Sequence, residues 1–165
     1  MPLQKKVALL GAPGVGKTSL VRRFVESMFD ETYLTTIGVK VDKKLVTIGA
    51  TDVQMMLWDV AGAEENFSVP MSYVRGSAGF LLVVDGTRPE TLERGLDLVV
   101  EVDRALGPLP HILVLNKIDL TDTWRLDDAA LAPAERPGRP IVRASAKTGE
   151  GVEAAFLELA QRLIG

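Results

Sequence analysis

Val7-Ala8-Leu9-Leu10-Gly11-Ala12-Pro13-Gly14-Val15-Gly16-Lys17-Thr18-Ser19-Leu20 is the stretch that decides the fold. Its four leading apolar residues read as a buried strand ending at Gly11. Gly11 to Thr18 then fits GxxxxGK[ST]. An amphipathic helix opens inside that motif, with Val21, Phe24, Val25 and Met28 on one face. Glycines let the backbone curl until its N–H groups form an anion nest, and the positive end of the helix points at the same place. Pro13, Gly14, Val15, Gly16, Lys17, Thr18 and Ser19 are therefore the candidate phosphate cradle. Lys17 supplies a mobile charge for the outer phosphates, and the Thr18 hydroxyl is a hard ligand suited to Mg²⁺. A glycine-rich turn that merely joined strand to helix would have little use for a lysine at the helix start, where its charge opposes the dipole.

Outward from the loop, short β-like runs alternate with helix-period stretches. Val39 to Ile48 and Val53 to Asp59 read as two strands around Gly49-Ala50, too closely connected to be anything but antiparallel. Phe80 to Val84 and Ile112 to Leu115 read as strands covered on both faces, and Ile141-Val142 as a short last strand. Thr87-Arg88-Pro89-Glu90 has capping-box spacing before a helix through Leu92, Leu96, Val99 and Val100. A weak helix is expected near Leu126 to Leu131, and Pro133 to Pro140 reads as a loop. Val152, Ala155, Phe156, Leu159 and Leu163 line a closing helix. The expected fold is α/β: one domain over 1–165, a mixed six-stranded sheet with helices on both faces, and ligands at the carboxyl ends of the strands.

Composition narrows the function classes. Nineteen basic and 22 acidic residues give a net charge of −3, which argues against a nucleic-acid surface and a basic membrane patch. The sequence has no cysteine, so disulfides, thiolate metal sites, a cysteine nucleophile and thiol-linked lipids are excluded within it. With the first strand pattern starting at Leu3 there is no room for a signal peptide, and a cytoplasmic location is expected.

Asn116-Lys117-Ile118-Asp119 follows the 112–115 strand, and Ser145-Ala146-Lys147 follows the last one. Both belong at the carboxyl edge. Asp119 is an acceptor-only carboxylate able to take the two N–H groups of guanine, a donor pair that adenine lacks. The Ala146 N–H can donate to the guanine carbonyl, while Lys117 and Lys147 lay their stems along the ring. Asn and Asp at a strand end are common in turns. Their order and spacing after a phosphate loop make this set specific.

Taken together, GAPGVGKTSL (11–20), TTIGVK (35–40), WDVAG (58–62), NKID (116–119) and SAK (145–147) make the chain resemble the Ras superfamily of small GTPases, closest to Rab-like members. The resemblance spans the domain and implies a G domain that binds GTP and GDP with Mg²⁺ and switches between the two states. Within it, Thr36 matches the threonine that ligates Mg²⁺ only when the γ-phosphate is present, with Thr35 ranked behind it. Phe29 matches the aromatic on the edge of the base, although a core anchor would look the same, and Tyr33 matches the tyrosine over the phosphates. Asp59, in DxxG, matches the carboxylate that holds Mg²⁺ through water. Gly62 matches the N–H offered to the γ-phosphate. Two loops, carrying Thr36 and Gly62, would each be held by one bond that depends on the γ-phosphate, so hydrolysis would release both. Exchange factors, GTPase activators and effectors are the implied partners.

Two positions depart from that pattern. Ala63 stands where the family's water-orienting glutamine belongs, and Glu64 is one place late, so intrinsic hydrolysis is expected to be slow. The catalytic set is then Lys17, Thr36 and Gly62 around a vacant glutamine position at Ala63. A GTP-loaded scaffold with negligible turnover is the alternative, and a kinase or ATPase the third reading, opposed by NKID and SAK. Pro13 replaces a frequent glycine; proline fixes φ and lacks an N–H. The sequence ends at Gly165 without the family's lipid-bearing cysteine, an absence that a truncated chain would share and that a bacterial origin would explain. His111, the single histidine, has no evident catalytic partner. Trp58 and Trp124 are expected to pack, and Arg136 and Arg139 to be solvated.

Overall fold

A computed structural model describes residues 2–26, 39–60 and 71–164. Met28, Phe29, Tyr33, Thr35, Thr36, Gly62, Ala63 and Glu64 lie outside the described residues. In chain order the elements are β1 (Leu3–Leu10), α1 (Lys17–Glu26), β2 (Val39–Ile48), β3 (Thr51–Val60), α2 (Met71–Val74), β4 (Gly79–Asp85), α3 (Glu90–Leu106), β5 (His111–Asn116), α4 (Asp128–Leu131), β6 (Ile141–Arg143) and α5 (Val152–Ile164). They build one six-stranded sheet in the order β2-β3-β1-β4-β5-β6. Among the described strands only the β2–β3 pair is antiparallel. The mixed sheet read from the sequence is the one observed.

Period two along the strands divides the core. Val7, Leu9, Met55, Leu57, Leu81, Val83, Ile112 and Val114 face α1 and α5. Ala8, Leu10, Phe80, Leu82, Val84, Leu113 and Leu115 face α3 and the short α4. Every residue of β4 and β5 is buried, which is why both read as unbroken apolar runs. On the first face Phe24 stacks on Phe156 with ring centroids 4.1 Å apart. Truncating Phe156 to alanine is expected to cost about 3–5 kcal/mol, read by urea unfolding, since it removes both a buried ring and its stacking partner.

Two local readings need correcting. The expected capping box does not form: α3 is preceded by Pro89 with no side-chain cap. Thr87 spends its hydroxyl on Asp85 Oδ1 at 2.7 Å instead. The helix begins at Glu90 with Pro89 at the capping position, so the Thr87 oxygen does not stand there. Nor is Arg139 solvated. It is buried and donates to the Ala134 carbonyl, which ends the 3₁₀ turn that the Pro-rich loop forms over Ala132–Ala134. Arg136 pairs with Asp103 at 3.6 Å. Trp124 packs on the β4–β5 face and donates Nε1 to Leu126 O at 2.9 Å, and Trp58 lies beneath the Lys6 ammonium at 3.8 Å. Among the described residues no helix is long and apolar enough to cross a membrane.

Candidate functional site

The carboxyl ends of β1, β3, β4, β5 and β6 converge because these strands run parallel. Each delivers a polar residue or a loop to one edge: the phosphate loop after β1, Asp59 near the end of β3, Asp85 at the end of β4, Asn116 at the end of β5, and Ser145-Ala146-Lys147 after β6. This is the edge at which open α/β sheets take ligands.

Lys17 opens α1 and is only 7% exposed. Its ammonium donates to the Gly11 carbonyl at 3.0 Å and the Ala12 carbonyl at 3.3 Å. Burial lowers its pKa to about 8, against the opposing attraction of Asp59. Thr18 donates its hydroxyl to Asp59 Oδ2. Burial raises the pKa of Asp59, a shift that the Thr18 hydrogen bond and the charges of Lys17 and Lys40 counter only in part. The other carboxylate oxygen, Oδ1, is buried with no hydrogen-bond partner among the described residues. A hydroxyl and a half-satisfied carboxylate are hard oxygen donors of the kind Mg²⁺ selects. No group of three His, Cys, Asp or Glu that could hold a metal exists among the described residues.

The base-reading segment and the phosphate loop are tied directly to each other. Asn116, 2% exposed, donates Nδ2 to the Val15 carbonyl at 2.9 Å. Its Oδ1 accepts the Ala146 N–H at 3.3 Å. One side chain thus joins three of the motifs. Gly16 lies on the other side of this contact at φ +102°, and a Cβ there would collide with Asn116 Nδ2. Only glycine suits both the backbone and the space. Lys117 has a positive φ of 73°, unique among the described non-glycine residues. Left-handed backbone costs a lysine on the order of 1–2 kcal/mol. In that conformation the side chain reaches the Gly14 carbonyl at 3.0 Å and Asp85 Oδ2 at 2.8 Å. Asp119 sits beyond this clamp, half-buried, with Ser145 Oγ donating to its Oδ1 at 2.7 Å. Lys147 is exposed.

Two groups at this edge escaped the sequence reading. Asp85 is 1% exposed and accepts from Thr87 N–H, Thr87 Oγ1, Arg88 and Lys117. Burial pushes its pKa up, but these hydrogen bonds outweigh burial and hold it below the usual carboxylate value. Arg88 spans from Asp85 to the Pro13 carbonyl. The one available signal was a carboxylate ending an otherwise apolar strand. His111 lies at the opposite end of the sheet, buried, stacked on Phe80 at 4.4 Å, with its pKa lowered by burial.

The sequence model of the Ras family matches residues 6–165. The chain is 35% identical over 161 residues to the Ras-related protein Rab-18 of Caenorhabditis briggsae, covering 96% of this chain and 80% of that protein. It is 35% identical to the Ras-related protein Rab-1 of Theileria annulata, over 96% of this chain and 73% of that one. To the Ras-related protein Rab-1D of Dictyostelium discoideum it is 34% identical, over 94% and 78% respectively.

Proposed function

The chain belongs to the Ras family as a Rab-like small GTPase, and from that premise we propose that it is a GTP/GDP switch with slow intrinsic hydrolysis. The observation that carries the nucleotide site is the lock between Asn116, Lys117 and the carbonyls of Val15 and Gly14. It sets the base-reading segment and the phosphate cradle at one fixed spacing. Lys17 would leave the Gly11 and Ala12 carbonyls for the outer phosphates. Asp119 would accept the two guanine N–H groups, with Ala146 N–H at the carbonyl and Lys147 beside Lys117 on the ring. Thr18 and Asp59 would hold Mg²⁺, Asp59 through water. When bound, Mg²⁺ supplies charge neutralisation on the phosphates. Thr36 and Gly62 would sense the γ-phosphate, and exchange factors, activators and effectors would read the loops that carry them.

The slow-hydrolysis reading rests on Ala63, a residue without a side chain to orient water. Ala63→Gln is expected to raise the single-turnover GTP hydrolysis rate by about 10²-fold, the lower end of what a positioned group at the reacting water contributes. Equal rates would contradict the reading. In this family an activator's arginine is worth about 10³–10⁵ in rate, about 4–7 kcal/mol, so a partner could complete the site. The scaffold reading is favoured instead if neither the protein nor the Ala63→Gln variant turns over.

Lys17 adds a pH dependence. In the nucleotide-free protein its pKa is about 8. Phosphates beside it would raise that value, so above pH 8 binding takes up a proton and affinity falls as pH rises. Between pH 8 and 9 the slope is expected to approach about tenfold per unit for a full proton. Calorimetric titration with GDP in buffers of different ionisation heat measures the uptake directly. Below pH 7 the Lys17 contribution is expected to vanish.

A further inference from the structure

Arg88 lies in the link between β4 and α3. It uses two separate nitrogens. Nε donates to Asp85 Oδ2 at 3.0 Å, and Nη2 donates to the Pro13 carbonyl at 2.9 Å. An ion pair three residues apart on a side chain 40% exposed contributes little by itself. Nor does Asp85 depend on it, since Lys117 also holds Oδ2 at 2.8 Å. The second nitrogen, on the loop, needs its own explanation.

Three consecutive carbonyls of the loop are each gripped from outside: Pro13 by Arg88, Gly14 by Lys117 and Val15 by Asn116. In a trans peptide a carbonyl and the following N–H point in opposite directions. Holding the carbonyls of 13, 14 and 15 therefore turns the N–H groups of Gly14, Val15 and Gly16 the other way, toward the concave side of the loop. Pro13 has no N–H, so its carbonyl is its one handle. Gly14, at φ +77°, lies directly under the guanidinium, which would be 3.2 Å from a Cβ placed there.

We propose that Arg88 is a positioning residue for the phosphate loop, which by fixing the Pro13 carbonyl aims the Gly14 N–H at the nucleotide's phosphates. This rests on the reading that the phosphates occupy the loop. The guanidinium anchors to a buried carboxylate on one side and steers the loop on the other. A lysine, with its charge at a single nitrogen, cannot span both partners in this geometry.

The test compares the full chain with its Arg88→Ala and Arg88→Lys variants, each stripped of nucleotide. Affinities for GDP and for GMP are measured together with thermal unfolding. GMP keeps the base but offers the cradle a single phosphate. Arg88→Ala is expected to weaken GDP by about tenfold, the scale of one hydrogen bond from a charged donor, and GMP by clearly less. Arg88→Lys is expected to fall between it and the parent. Unchanged GDP binding in Arg88→Ala would overturn the proposal. So would equal losses for GDP and GMP, or an Arg88→Lys variant equal to the parent, which would make charge alone sufficient. A parent chain that binds neither nucleotide would overturn the nucleotide reading itself, and this inference with it.

Discussion

Asp119→Asn is expected to lower GDP affinity by about 10²–10³-fold and to reverse the base preference toward xanthine. The carboxylate is acceptor-only, so it matches two adjacent N–H donors. Asparagine presents one acceptor and one donor, and the donor then faces the guanine amine. Losing a charge-assisted hydrogen bond costs about 1.5–3 kcal/mol, and opposing two donors adds to it. Xanthine carries a carbonyl where guanine carries that amine, so the same asparagine fits it. Ser145 Oγ, 2.7 Å from Asp119 Oδ1, can still donate to an amide oxygen, which keeps the side chain in place. Competition binding with GDP and xanthosine diphosphate reads the reversal. A uniform loss for both would assign Asp119 to structure and not to recognition.

The second large effect is expected at Asn116. Its buried amide satisfies the Val15 carbonyl and the Ala146 N–H at once. Alanine would leave the Val15 carbonyl unpaired, and in the nucleotide-free protein the Ala146 N–H as well, at about 1–3 kcal/mol each. It would also free the loop from the base-reading segment. Asn116→Ala is expected to speed GDP dissociation by about 10²-fold or more and to lower the unfolding midpoint of the nucleotide-free protein. A faster release with unchanged unfolding would place the interaction in the bound state alone.

The mixed six-stranded sheet was legible because it follows from patterns that survive in one dimension. The unbroken run Phe80 to Val84 reads as a strand covered on both faces, and β4 is that strand. The link Gly49-Ala50 is too short for a crossover, and β2 and β3 pair antiparallel. The tethers were less legible. Thr87 and Glu90 have capping spacing, yet α3 begins only at Glu90 and the Thr87 hydroxyl donates to Asp85, which only the folded chain shows. The left-handed turn at Lys117 and the reach of Arg88 over 75 positions to Pro13 leave no periodic trace. Arg139 looked solvated because its surroundings are Pro- and Gly-rich. Its burial depends on how the 3₁₀ turn exposes one carbonyl to it. The nucleotide motifs were readable for the opposite reason: each demands specific residue types at fixed short spacing.

The most direct measurement is the identity of the nucleotide carried by the purified protein, released by denaturation and separated chromatographically. The lock between the base-reading segment and the phosphate loop, with Asp119 beyond it, predicts close to one equivalent of guanine nucleotide, GTP in excess of GDP if hydrolysis is as slow as Ala63 implies. Adenine nucleotide in the site would contradict the account.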